Sequence, residues 1–227
     1  MADKNRLHWE TVTPLLKEVL GILMAEKIFA PFRLVGGTNL SLRYGHRLSA
    51  DIDLFTDAGY GSLDYPIFEK FLREHFPFCE CNDATSIVGF GRGYYIGNSA
   101  DEYIKLDLMY TDPFLEDAET IDGVRMADVK DIIAMKMNVV SRGSRKKDFW
   151  DLHLLLQEYT LAEMFDLHVR RHEWEHDAEE LLEKVTDFIE ADALPDPVCL
   201  LGKEWDEIKL DLVDAADDYA KNRTSYH

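Results

Sequence analysis

Three things are scarce in this 227-residue chain, and each scarcity excludes a class of protein. Cysteine occurs only as Cys79, Cys81 and Cys199, an odd set that argues against a disulfide framework and for a reduced, cytoplasmic setting. No apolar run approaches the ~20 residues of a membrane span, and no hydrophobic targeting segment is expected at the N-terminus, so a membrane partner is not expected. Positive charge is short: Lys and Arg number 25 against 44 Asp and Glu, a formal charge of -19. Such a balance repels a polyanion at long range and excludes bulk nucleic-acid binding, though not a local basic patch. Familiar catalytic signatures are missing too. There is no Gly-x-Ser-x-Gly elbow, no dinucleotide fingerprint and no lysine-bearing phosphate loop. Neither a repeat nor a Gly/Ser linker interrupts the chain.

What is present is a foldable chain, 46% hydrophobic and 30% charged, long enough for one core plus a smaller helical module. Leu15, Leu16, Val19, Leu20, Leu23 and Met24 recur at spacings of three and four, which predicts an amphipathic helix within Trp9 to Phe29. Pro31 stops it, and residues 32–35 read as a short strand. Gly36-Gly37 breaks that strand, and Thr38 is placed to cap a short helix to about Tyr44. Alternation over 51–55 predicts a strand, residues 65–76 a helix, and 86–96 and 103–110 two more strands. Helices are predicted from about 128 to 140, after Gly143, and over 160–169, 175–191 and 204–221. The α/β half gives way to the helical half near residues 112–126, dividing the chain into 1–120 and 121–227.

The chemistry concentrates in the first half. Side chains two apart on a strand share a face, so Asp51 and Asp53 point the same way. Two carboxylates on one face repel unless something positive lies between them, and a divalent metal supplies that charge. Asp107, alone in the apolar strand 103–110, completes a three-carboxylate cluster if that strand is adjacent. An oxygen-only donor set suits Mg²⁺, with phosphate or water filling the octahedron. Gly36-Gly37 lets the backbone approach an anion, and the helix that follows offers unpaired amides to a phosphate.

These residues carry a resemblance. Gly36-Gly37 followed by Asp51-Ile-Asp53 resembles the first motif of the polymerase-β-like nucleotidyltransferases. Gly-Gly-Thr-x-Leu with Arg47-x-Ser49-x-Asp51-Ile-Asp53-Leu-Phe55 is similar specifically to the AbiEii/AbiGii toxin-type nucleotidyltransferases. Lys136, Arg142 and Lys147-Asp148-x-x-Asp151-Leu152 agree in the second half. The resemblance implies an α+β fold, a nucleotidyltransferase-like mixed sheet with flanking helices followed by a C-terminal helical bundle. It implies transfer of a nucleoside monophosphate from a nucleoside triphosphate to an acceptor, tRNA or another RNA among the candidates. A cognate antitoxin is implied as a partner, in a toxin–antitoxin or phage-defence pair. Asp51, Asp53 and Asp107 match the metal-binding and catalytic acids. Lys136 and Asp148 match the later lysine and acid. Gly36, Gly37, Thr38, Ser49, Lys136 and Lys147 would hold the donor.

Other readings compete. Arg142, Arg145, Lys146 and Lys147 form a cationic island that either meets phosphates or balances acidic helices. His168, His172 and His176 share a helical spacing that two zinc ligands could use; a structural or incidental role in an otherwise solvated helix is preferred, with contact to the acceptor as the main alternative. Cys79-x-Cys81 is too isolated for a structural zinc site. Phe149, Trp150, Tyr159, Phe165 and Trp174 fit a helical core better than a stacking platform. An aminoglycoside- or metabolite-modifying enzyme, drawn to cationic substrates by its acidity, is the alternative function. A catalytically inactive binding or regulatory protein on the same fold is another.

Overall fold

The computed structural model describes residues 6–82, 90–143, 145–175 and 177–224. It is a mixed α/β fold organised as two compact units, Met1–Tyr44 with Ser49–Asp128, and Gly45–Leu48 with Val129–His227.

The first unit is built on a sheet. Its strands are β1 (Arg33–Leu34), β2 (Asp51–Thr56), β3 (Phe78–Asn82), β4 (Gly91–Ser99), β5 (Glu102–Tyr110), β6 (Glu119–Ile121) and β7 (Val124–Met126). They lie in the order β3-β4-β5-β2-β1-β7-β6. The β2/β5 and β1/β7 pairs are parallel, and the other neighbours are antiparallel. Three helices belong to this unit: α1 (Pro14–Ala25), α2 (Gly36–Tyr44) and α3 (Tyr65–His75). One face of the sheet is apolar. Ile52, Leu54, Ile104, Leu106, Leu108, Tyr94 and Ile96 are buried there in one cluster with the inward stripes of α1 and α3. That burial, at roughly 25 cal/mol per Å², is the main force holding the unit.

The helix predicted within Trp9 to Phe29 is shorter than expected. It forms as α1, flanked by 3₁₀ turns at Trp9–Thr11 and Lys27–Phe29. The start has a local cause: Thr13 Oγ1 accepts from the Leu16 amide at 3.1 Å, and Pro14 takes the first position, where no amide is needed. The strand predicted over 86–96 is seen as β4, and residues 83–89 lie outside the described residues. The edge strand β3 and the short β6 and β7 were not anticipated.

The second unit is helical: α4 (Val129–Ser141), α5 (Lys146–Leu155), α6 (Leu161–Arg171), α7 (Ala178–Lys184), α8 (Ile189–Asp192) and α9 (Trp205–Thr224). Ile132, Ile133, Met137, Phe149, Leu152, Met164 and Phe165 are buried in it. Between α4 and α6, Arg171 Nη1 donates to Asp131 Oδ1 at 2.8 Å, with both side chains fully buried. The single helix predicted over 175–191 is two. Asp177 caps α7, accepting from the Glu179 and Glu180 amides. Beyond α7, the Thr186 hydroxyl turns back onto the Glu183 carbonyl, competing with helical continuation. Trp174, expected in the core, is 91% exposed, whereas Phe149, Trp150 and Phe165 are buried.

Candidate active site

The parallel pairing of β2 with β5 sets Asp51 beside Lys105 and Asp53 beside Asp107. Partners in register share a face, so Asp51, Asp53, Lys105 and Asp107 stand together on the side opposite the apolar core. Asp51 and Asp53 are half-buried, while Ile52 and Leu54 between and beyond them are fully buried. The alternation that reads as a strand therefore also aims the carboxylates.

Gly36 joins β1 to α2 with φ +71, the left-handed region that an L side chain enters at a cost. A Cβ there would run into Asp53 Oδ2. The helix start and the carboxylate thus touch, and the unpaired amides at the N-terminus of α2 lie beside the acids. The Val35 amide donates to the Asp53 carbonyl at 2.9 Å, closing β1 onto β2. Thr38 Oγ1 donates to the Asp51 carbonyl at 2.5 Å and lies 2.7 Å from Ser49 Oγ. Its side chain is buried, so it ties α2 to β2 and leaves only its amide for a ligand. Asn39 Nδ2 donates to the Leu34 and Ala127 carbonyls, fixing the same helix from its other side.

Lys105 is a member of this group that sequence reasoning missed. Its ammonium donates to Asp107 Oδ2 at 2.5 Å. Burial pulls its pKa down, but contact with Asp107 and the fields of Asp53 and Asp51 outweigh that, and the net shift is upward. The period-two spacing from Asp107 was the available signal. Asp107 Oδ1, the other oxygen, is buried and accepts no hydrogen bond.

That orphaned oxygen bears on whether a metal fits. Among the described residues no three His, Cys, Asp or Glu side chains form a group that could hold a metal ion. Mg²⁺ does not require three, since it is usually held by one or two carboxylates plus phosphate and water. An oxygen-only set on one face, with a buried unpartnered carboxylate oxygen, fits such an ion.

Lys136 and Asp148 come together in the second unit. Lys136 Nζ on α4 donates to Asp148 Oδ1 at 2.8 Å and stands 2.6 Å from Asp151 Oδ2. Arg47 grips Asp151 with two bonds, Nε to Oδ1 at 2.7 Å and Nη2 to Oδ2 at 2.9 Å. His46 Nε2 completes the shell at 2.8 Å from Asp151 Oδ1. Burial would raise the Asp151 carboxyl, but Lys136 and Arg47 hold it well below the usual range. Lys136 is buried, and its two carboxylates keep its pKa above the ordinary value despite desolvation. The sequence singles out Lys136 and Asp148 through the resemblance and leaves open whether Asp148 orients the lysine or meets the acceptor; the joining of His46, Arg47 and Asp151 with them in one hub is not legible there.

The cationic island is largely compensated. Arg142 pairs with Glu175 at 2.7 Å, Lys146 is buried against Asp196 at 2.7 Å, and Arg145 reaches Asp148 at 3.4 Å. Nor do the histidines lie on a solvated helix. His168 and His172 are buried with rings 5.1 Å apart, α6 ends at Arg171, and His176 lies outside the described residues. Cys79, Cys81 and Cys199 are not joined in disulfides. A cavity of 840 Å³ in the second unit is lined by His153, Tyr159, Asp211, Asp218 and Tyr219 among others, and by none of the expected site residues.

A family profile described as "Nucleotidyl transferase AbiEii toxin, Type IV TA system" matches residues 19–224. The chain belongs to this family. It is a nucleotidyltransferase, as the family's members are. An uncharacterized protein of Aquifex aeolicus (strain VF5) is 32% identical over 152 residues, 63% of this chain, and the alignment spans 66% of that protein's length. Two solved structures share the fold. MenT4, a nucleotidyltransferase toxin of Mycobacterium tuberculosis H37Rv, superposes with a TM-score of 0.59 at 15% identity, covering 89% of this chain and 82% of that one. JHP933 of Helicobacter pylori does so with a TM-score of 0.55 at 18% identity, covering 92% and 93%. No helix among the described residues is long and apolar enough to cross a membrane.

Proposed function

We propose that this nucleotidyltransferase moves a nucleoside monophosphate from a nucleoside triphosphate to a hydroxyl of an RNA acceptor, tRNA being the leading candidate, and that it serves as the toxin of a toxin–antitoxin or phage-defence pair in the cytoplasm. The observation that carries the reading is the register of β2 on β5. It gathers Asp51, Asp53 and Asp107 on one face, with the N-terminus of α2 against Asp53.

In this reading the α2 amides after Gly36 receive the triphosphate, where helix-terminal N–H groups favour an anion. Asp51 and Asp53 would hold Mg²⁺, leaving the second oxygen of Asp107 for the acceptor's proton. The ion supplies Lewis-acid neutralisation of phosphate charge when bound. The acceptor oxygen forms a bond to the α-phosphorus, the bond from that phosphorus to the β-bridging oxygen breaks, and pyrophosphate departs. The acceptor's proton goes to Asp107 Oδ1, the unpartnered oxygen. Lys105, bonded to the other oxygen, keeps Asp107 in place and offsets part of the negative field. Lys136, Lys147, Ser49 and Asp148 enter this reading through the family resemblance.

The test is calorimetric titration of the four nucleoside triphosphates with Mg²⁺ into wild type and Asp51→Ala/Asp53→Ala, followed by label transfer from the bound triphosphate. Saturable metal-dependent binding by wild type alone, with label appearing on RNA, is expected. Label on aminoglycosides but not on RNA would overturn the acceptor. Absence of triphosphate binding by folded wild type would overturn the reading as a whole.

A further inference from the structure

The face that carries the carboxylates extends over β4 and β3, and its side chains form rows set by the registers. One row runs Asp53, Asp107, Gly93. The next runs Asp51, Lys105, Tyr95, Glu80. The third runs Tyr103, Gly97, Phe78. Across the last two rows the rings close into one cluster: Tyr95 and Tyr103 have centroids 5.2 Å apart at 70°, and Phe78 and Tyr103 are 5.8 Å apart. Gly97 lies between Phe78 and Tyr103 in register, and a Cβ there would strike the backbone of Glu102 and Tyr103. Tyr103 is 48% exposed, and Phe78 and Tyr95 are half-buried, so the cluster is fixed at its base and keeps part of its aromatic surface open to solvent.

We infer that Phe78, Tyr95 and Tyr103 form a stacking platform for unpaired bases of the acceptor strand, just behind the reacting end. The inference rests on the nucleotidyl-transfer reading and specifies where the acceptor lies. Three observations support a single-stranded nucleic acid as the occupant. The cluster is continuous with the carboxylate face, with glycine at 93 leaving no side chain beside Asp107. Its distance suits a strand: Tyr103 is four residues from Asp107 along β5, ~13 Å at 3.3 Å per residue, or about four stacked nucleotides and fewer extended ones. Its chemistry suits bases rather than phosphates, because aromatic rings on a flat sheet stack on any base. The only cation in these rows is Lys105, already bonded to Asp107, and Glu80 stands opposite Tyr95. A chain of charge -19 that accepts RNA must do so with little help from counterion release, and stacking provides that route.

The test is fluorescence anisotropy of a labelled single-stranded oligoribonucleotide, without triphosphate, at two salt concentrations. Variants are Tyr103→Ala, Tyr95→Ala, Tyr103→Phe and Tyr95→Phe, with triphosphate titrations run in parallel. Each alanine variant is expected to weaken the oligonucleotide by about five- to a hundred-fold. The phenylalanine variants should retain binding, salt dependence should be shallow, and triphosphate affinity should not change. Unchanged oligonucleotide affinity in both alanine variants would overturn the platform, as would a steep salt slope or equal losses in the phenylalanine variants. A parallel fall in triphosphate affinity would overturn it too, assigning the rings to the donor base. Wild type that binds the oligonucleotide through these rings but no triphosphate would leave the platform standing and sink the transfer reading.

Discussion

Two clusters of charge in this molecule use the same residue types and reach opposite balances. Around Asp151, two carboxylates, Asp148 and Asp151, face the cations Arg47, Lys136 and Arg145, with His46 adding a hydrogen bond. Every oxygen of Asp151 is engaged, and its side chain is fully buried. On the sheet face, Asp51, Asp53 and Asp107 stand together, Lys105 bonds one oxygen of Asp107, and the other is buried without a hydrogen bond. The first arrangement is closed: its charges satisfy one another, as a buried ionic hub must to persist. The second sets three carboxylates on one face, with one oxygen of Asp107 left without a hydrogen bond. Like charges gathered on one face cost stability, which in the proposed reading is offset when the metal-bound triphosphate arrives. Charge balance, more than residue type, separates the structural cluster from the reactive one.

The comparison breaks most visibly if Asp151 is removed. Asp151→Ala leaves Arg47 and Lys136 buried without their shared partner, and the expected loss is about 3–5 kcal/mol in urea unfolding. A loss under 1 kcal/mol would mean the hub is not what holds this region. On the sheet face the sign differs. Asp53→Asn removes one of three repelling carboxylates, so stability should hold or rise slightly while nucleotidyl transfer falls by about 10²–10³-fold. A variant that unfolds as readily as Asp151→Ala would erase the distinction between the two clusters.

The sheet cluster was legible in the sequence because its logic is local. Asp51 and Asp53 alternate with buried Ile52 and Leu54, and the period of two gives the shared face at once. Asp107 needed one further step, the adjacency of β2 and β5, which no periodicity specifies. The hub was illegible by the same standard, since Arg47 and Asp151 lie 104 positions apart and meet only through tertiary folding. The short strands failed for another reason. β6 and β7 have three residues each, and Met126 of β7 pairs with Leu34 across most of the unit, so pairing rather than propensity makes them strands. β3, with the sequence Phe-Cys-Glu-Cys-Asn, is likewise held by its ladder with β4.

Gly36 offers a smaller test that sharpens the sheet side of the comparison. Gly36→Ala puts a side chain into left-handed backbone, at about 1–2 kcal/mol, and pushes Asp53 Oδ2 aside. Transfer should therefore fall by more than the stability loss explains. Full activity in a variant destabilised by this amount would show that the contact between α2 and Asp53 has no part in aligning the carboxylates.

The smallest expected effect isolates His46 within the hub. Its Nε2 faces the Asp151 carboxylate, which can only accept, so the proton sits there, and Nδ1 is buried with no partner. Burial lowers its pKa, Asp151 opposes that, and the net direction is downward. The folded protein thus resists a proton that the unfolded chain takes up near pH 6.5. As pH falls below that value the unfolded state binds more protons, and stability declines by up to about 1.4 kcal/mol per pH unit until the folded pKa is reached. Asp148 and Asp151 have lowered pKa values, so their contribution persists above the unfolded carboxylate value and is lost only as pH falls below about 4. The two windows open at different pH, the first below about 6.5 and the second below about 4. His46→Gln keeps a donor toward Asp151 but cannot titrate, and it should flatten the decline between pH 6.5 and 5 while leaving the acid limb unchanged. Equal slopes in wild type and variant, measured by urea midpoints across that interval, would show that His46 titrates in the folded hub as freely as in water, and the hub would then be less closed than its distances suggest.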